Sequence, residues 1–155
     1  MAINPNTDFT SGQVLTAAEQ NRFPRGIMAY TERTTQDLTI TAEEVQITGS
    51  SFTAVANRYY KVTYYEPNIG SSTATSYSIW RIRLTNLAGA QKNLATIQLP
   101  TSGVTNAQVT VTWVGTLAAG VTNFVATGFS NVGTALADRA ANSPAFLLVE
   151  DIGPA

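Results

Sequence analysis

Apart from tyrosine, ten carboxylates and nine basic side chains are all the ionisable side-chain chemistry in this 155-residue chain, which has neither His nor Cys. The imidazole and thiolate ligands of the usual zinc, copper, haem and iron–sulfur sites are therefore missing, as are the commonest general base and the Cys nucleophile. Paired acids are the catalytic device that needs neither. Glu43 and Glu44 are adjacent, as are Glu150 and Asp151, but neighbours on a strand point to opposite faces, so neither pair converges locally. Asp37, Glu66 and Asp138 are left to pair across strands, and a solvated surface role is the ordinary expectation for such acids. No phosphate-cradling glycine loop, nucleophile elbow, calcium loop or dinucleotide fingerprint occurs. The expectation is a protein that is not an enzyme and carries no cofactor or metal.

The charge balance also limits the partners. A net charge of −1 provides no basic field, so neither nucleic acid nor an anionic membrane surface is expected to bind. Only 12% of residues are charged, about half the usual share, so Thr, Ser, Asn, Gln and Ala must cover much of the surface. No basic, apolar leader and no membrane-length apolar run is present, which reads as a soluble chain made in the cytoplasm. With 44% hydrophobic residues the chain can bury a core, and without cysteine its stability must come from packing or assembly.

Two regions differ in character. Residues 1–25 form a polar arm with one helical signal, Thr16-Ala17-Ala18-Glu19, in which Thr16 caps and Glu19 reaches back to it. Phe9, Val14, Leu15 and Phe23 are too few to make a core and must dock on something. Folding back on the arm's own domain and docking on a neighbour are both open.

Residues 26–155 read as a β domain. Runs rich in Val, Ile, Thr, Tyr, Phe and Trp alternate with Gly, Ser, Asn and Pro clusters, at the spacing of an antiparallel β-sandwich of about eight strands. The candidate runs are 26–31, 38–40, 45–48 with 51–55, 59–66, 77–84, 94–99, 109–114, 123–129 and 145–151. Pro67-Asn68-Ile69-Gly70, Asn86-Leu87-Ala88-Gly89, Pro100-Thr101-Ser102-Gly103 and Ala119-Gly120 supply turn chemistry. Only 135–141 resembles a helix-length connection, so a parallel α/β sheet is excluded as the organising plan.

Alternation assigns the faces. Ser78, Trp80, Ile82 and Leu84 point inward and Tyr77, Ile79, Arg81 and Arg83 outward; Val109, Val111 and Trp113 point inward and Thr110 and Thr112 outward. Two strands depart from this. Tyr59–Tyr65 carries aromatics on both faces, and Ala145–Val149 is apolar on both, which calls for a second cover from a loop or another subunit. A homo-oligomer is expected, with Tyr59, Tyr65, Phe146 and Leu148 at its interface. Arg81 and Arg83 would bridge to carboxylates of a neighbouring chain, consistent with seven Arg against two Lys. Outward Tyr59, Tyr65 and Tyr77 also suit a sugar-stacking platform, the less favoured use.

The segment Phe9-Thr10-Ser11-Gly12-Gln13-Val14-Leu15-Thr16-Ala17-Ala18-Glu19-Gln20-Asn21 resembles the F-T-x-G-x-x-L-T-A-A-x-x-N string near the start of many tailed-bacteriophage structural proteins. Residues 24–30, 58–62, 80–82 and 147–153 also look like landmarks of such virion proteins, so the resemblance spans nearly the whole chain. It implies a head-decoration, minor tail or fibre protein whose β domain resembles the jelly-roll trimers of tumour necrosis factor and complement C1q. No repeat, coiled coil or shaft is present, which favours a compact surface protein. The expectation is a trimeric capsid decoration, or cement, protein located in the virion on the major capsid protein. Phe9, Val14, Leu15, Phe23 and Arg25 would make the capsid contact. A tail-fibre, baseplate or minor tail adaptor bound to a tail protein is the alternative, and a receptor- or glycan-binding module the second.

Overall fold

The computed structural model describes residues 11–12 and 14–155. A single turn of helix, α1 (Ala17–Gln20), precedes the strands. Its capping box is complete: the Glu19 N–H donates to Thr16 Oγ1 at 3.2 Å, and the Thr16 N–H donates to Glu19 Oε2 at 2.8 Å. Twelve strands follow among the described residues: β1 (Gly26–Arg33), β2 (Asp37–Ile40), β3 (Glu44–Thr48), β4 (Phe52–Ala54), β5 (Arg58–Ser71), β6 (Ser76–Leu84), β7 (Gln91–Leu99), β8 (Gly103–Thr116), β9 (Gly120–Thr122), β10 (Phe124–Ser130), β11 (Ala135–Ala137) and β12 (Ala145–Pro154).

Ten of these make two antiparallel sheets. The first has the order β1-β12-β5-β8, extended at the far end of β5 by β11 and β2; the second has the order β3-β10-β6-β7. Every neighbouring pair in them is antiparallel, and β5, β6, β7 and β8 alternate between the sheets two by two. This is the jelly-roll arrangement of a β-sandwich. β4 and β9 pair separately.

The core lies between the sheets. From the first come Tyr60, Val62, Tyr64, Val111, Leu147 and Val149, and from the second Ile47, Trp80, Ile82, Phe124 and Ala126, all buried. Rings interlock across the layer, with Tyr64 and Trp80 centroids 6.3 Å apart and Trp113 and Phe124 5.6 Å apart. The buried indole N–H of Trp80 donates to Ser78 Oγ at 3.0 Å, so the largest core side chain leaves no polar atom stranded. Opposite it stands Gly128, where a Cβ would come within 2.4 Å of the indole ring; only glycine lets the ring lie there.

The inward and outward sets expected for residues 77–84 and 109–114 match the observed burial, as does the two-faced character of 59–65. The Pro67–Gly70 segment is different: it is no turn, and β5 runs through it to Ser71. Register shifts between Glu66 and Ile69 absorb the proline, and Gly70 sits so close to Gly103 that a Cβ would meet its carbonyl at 2.2 Å. The 135–141 stretch is no helix either, since Ala135–Ala137 is a strand bridging β5 and β2.

Candidate interaction surfaces

The register of the first sheet arranges its outer face in rows. Glu32, Phe146, Tyr65 and Thr110 are cross-strand partners, then Tyr30, Leu148, Thr63 and Thr112, then Glu150, Lys61 and Val114. Phe146 lies between two tyrosines, its ring centroid 5.3 Å from Tyr65 and 6.0 Å from Tyr30. Tyr65 donates its hydroxyl to Gln108 Oε1 at 2.9 Å, which fixes the ring against the sheet. Tyr59, Tyr65, Phe146 and Leu148, expected at an interface, therefore share this face, each half-buried by its neighbours. The face also includes Tyr30, 50% exposed, Ile27, 68% exposed, and Val114, 51% exposed. The charged residues among them are Glu32 and the Lys61–Glu150 pair, which meets at 3.0 Å.

The structure separates Arg81 and Arg83 from that group. They lie on the outer face of the second sheet, across the sandwich, where both bind Glu43 of their own chain. Arg83 donates Nε to Glu43 Oε1 at 2.7 Å and Nη2 to Oε2 at 2.9 Å, Thr127 Oγ1 adds a bond to Oε1 at 2.7 Å, and the Arg81 guanidinium stacks 4.7 Å above the Phe129 ring. Partial burial pushes the Glu43 carboxyl up, but the bonds from Arg83 and Thr127 and the two guanidinium charges outweigh it and hold its pKa below the ordinary value. Tyr77 also lies on this second face, 42% exposed, its backbone N–H donating to Asn131 Oδ1 at 2.7 Å. The three tyrosines thus divide two and one between opposite surfaces and do not build one stacking platform.

Each adjacent acid pair does split. Glu43 meets the two arginines, whereas Glu44 turns to Gln46 and Asp37. Burial and the Asp37 carboxylate push Glu44 up; Asp37 is held down, because hydrogen bonds from Glu44 and Thr39 and the Arg33 charge overcome its own burial. Glu150 pairs with Lys61 outside, and Asp151 turns inward to Arg58. Glu66 is fully buried on Arg139, with Arg139 Nε to Glu66 Oε1 at 2.7 Å, Tyr64 Oη donating to Oε2 at 2.7 Å and Gln46 Oε1 accepting from Arg139 at 2.8 Å. Five of the seven arginines are thus bound to carboxylates of their own chain, which is why so little charge reaches the surface. Among the described residues no three His, Cys, Asp or Glu side chains group to hold a metal ion. These ionic contacts tie strands and loops together.

Of the arm residues expected at a capsid contact, Val14 and Leu15 are exposed, 85% and 40%, and Phe23 and Arg25 lie on the surface. Phe9 lies outside the described residues. A shallow recess of about 180 Å³ opens beside Leu84, Leu117 and Val121 and offers no charged group. Among the described residues no helix is long and apolar enough to cross a membrane.

No family model matches the chain, and no curated protein matches it. Among solved structures it is similar to the Eiger TNF of S. frugiperda, at 8% identity and a TM-score of 0.43 over 86% of this chain and 94% of that one. It is also similar to a carbohydrate-binding module of Cellvibrio mixtus lichenase 5A in complex with cellotriose, at 12% identity and a TM-score of 0.34 over 81% and 98%. The VP2 subviral particle protein of infectious bursal disease virus is similar at 13% identity and a TM-score of 0.42, over 97% of this chain and 43% of that chain. At these identities and TM-scores the likeness is one of β architecture alone.

Proposed function

We propose that the chain is a structural component of a tailed-bacteriophage virion that works as a homotrimer, most simply a decoration protein seated on the outside of the capsid. The observation that carries the assembly step is the outer face of the first sheet, where Tyr30, Phe146, Tyr65 and Leu148 form an aromatic and aliphatic patch. Other copies of this chain are the occupant: the half-exposed rings gain most from being covered, and the charges on the face are a Lys61–Glu150 pair that is itself balanced and Glu32, whose carboxylate accepts from the Tyr30 hydroxyl at 3.1 Å. The resemblance of residues 9–21 to phage structural proteins supports the virion setting. The mechanism is mechanical. A trimer bridging several capsid subunits adds buried area to contacts that internal pressure strains, and three arms on one rigid body dock almost as intramolecular events once the first has bound.

Sedimentation of the purified chain tests assembly, with a trimer expected at micromolar concentration; a monomer at high concentration overturns it. Copy number per virion then places the protein, hundreds for a decoration role and tens or fewer for the tail or baseplate alternative. A glycan-binding role has one observation in its favour, the exposed Tyr77 ring on the second sheet, away from the assembly face. A glycan screen in which binding is lost in Tyr77→Ala and kept in wild type would establish it.

A further inference from the structure

We infer that residues 21–25 are a strap belonging to the folded body, and that Arg58 is the residue that fastens it. The strap begins directly after α1, five residues before the change in sequence character. The inference stands on contacts within one chain and is independent of the assembly reading.

Arg58 opens β5 at the end of the sandwich where β12 finishes, paired with Pro154, and its side chain is 5% exposed. The guanidinium is a planar fork with five N–H donors that cannot shed its charge, so in a buried position every donor needs an acceptor. One edge is filled by Asp151, which takes Nε on Oδ2 and Nη2 on Oδ1, the latter at 2.8 Å. Asp151 is fixed in turn by the Gly153 N–H, which donates to Oδ1 at 3.0 Å. The remaining donors find no second carboxylate. They go to backbone: Nη1 to the carbonyl of Asn21 and Nη2 to the carbonyl of Phe23, at 2.6 Å.

Both acceptors gain from this. Asn21 is the C-cap of α1, a position whose carbonyl has no partner within its helix. Phe23 precedes Pro24, which disfavours helical backbone at Phe23, so its carbonyl is not used by a helix. Lifting the strap would strip two partners from a buried cation and expose two carbonyls. A lysine at this position carries the charge but not the fork, and could not serve both Asp151 and the two carbonyls.

Arg22 and Arg25 are exposed within the strap, which makes trypsin a direct probe, because cleavage needs the local backbone to open. Wild-type protein is expected to be cut slowly at both. Arg58→Met should raise the rate at Arg22 and Arg25 at least tenfold and leave cleavage after Lys92 unchanged, with Arg58→Lys between the two. Should Arg58→Met fail to fold, two truncations decide. Removing residues 2–24 is expected to lower the melting midpoint by more than about 4 °C relative to removing 2–20, because only the longer deletion takes both carbonyls from Arg58. Equal cleavage in wild type and Arg58→Met, or equal midpoints for the two truncations, overturns the inference.

Discussion

The two outer faces of the sandwich are built from the same strand alternation and end in opposite states. On the second sheet the outward charges are consumed where they stand: Glu43 collects Arg81, Arg83 and Thr127, and Phe129 lies under Arg81. On the first sheet the rings and branched aliphatics Tyr30, Phe146, Tyr65, Leu148 and Val114 stand among threonines, and the neighbouring side chains cover them only in part. A polar group can be satisfied inside its own chain by one well-placed partner, whereas apolar area is satisfied only by being covered. The contrast teaches which side of the molecule still has something to gain from contact.

The largest test of that contrast is a charge in the aromatic row. Phe146→Asp places a carboxylate between Tyr30 and Tyr65, where the assembled form would bury it without a cation. Hot-spot aromatics at interface centres are worth about 2–4 kcal/mol, so self-association should weaken by roughly 30- to 1,000-fold, read by sedimentation across a concentration series. Thermal stability of the separate chain should change far less. An undiminished trimer would move the assembly surface elsewhere.

On the second sheet the corresponding change acts on folding and leaves association alone. Glu43→Gln removes the one anion shared by Arg81 and Arg83, both less than one-fifth exposed. Leaving such donors poorly paired costs about 1–3 kcal/mol, measured by urea unfolding. The pH dependence has a definite sign. Glu43 has a lower pKa folded than unfolded, so it contributes stability above the ordinary carboxylate pKa, and that contribution is lost as pH falls through its depressed folded value. Unfolding free energies measured from pH 6 downward should therefore fall less steeply in Glu43→Gln than in wild type.

What the sequence disclosed and what it hid follow from the range of each signal. Alternation is local, so the inward sets around Trp80 and Val111 and the two-faced strands at 59–65 and 145–149 were legible. The capping box needs only three residues and was legible for the same reason. Irregularity breaks the count. Ile27 and Tyr30 share a face although three residues apart, because a register shift between Ile27 and Ala29 inserts Met28, and so two members of the apolar face were hidden. Pro67 and Gly70 carried the composition of a turn while serving a bulge and a close backbone approach. The partners of Arg81 and Arg83 depended on where the loop before β3 returns, 38 and 40 residues away in sequence, which no spacing rule encodes. The strap contact of Arg58 was hidden likewise: beyond Asp151 its acceptors are two backbone carbonyls, and carbonyls have no sequence signature.

The smallest expected effect sharpens the comparison most, because it concerns the one ion pair on the apolar face. Lys61 and Glu150 are 43% and 28% exposed as side chains, so in the separate chain water already solvates them and the pair is worth about 0.2–1 kcal/mol. Lys61→Ala should accordingly leave the unfolding midpoint almost unmoved. If copies close over this face, the same substitution leaves Glu150 without its cation in a drier setting, and its effect appears in assembly. Association of Lys61→Ala should then weaken more than its folding does, since the change leaves the Glu150 carboxylate on the face without its cation. A Lys61→Ala chain that assembles as wild type does would place this pair at the rim, with the aromatic row alone as the centre of the contact.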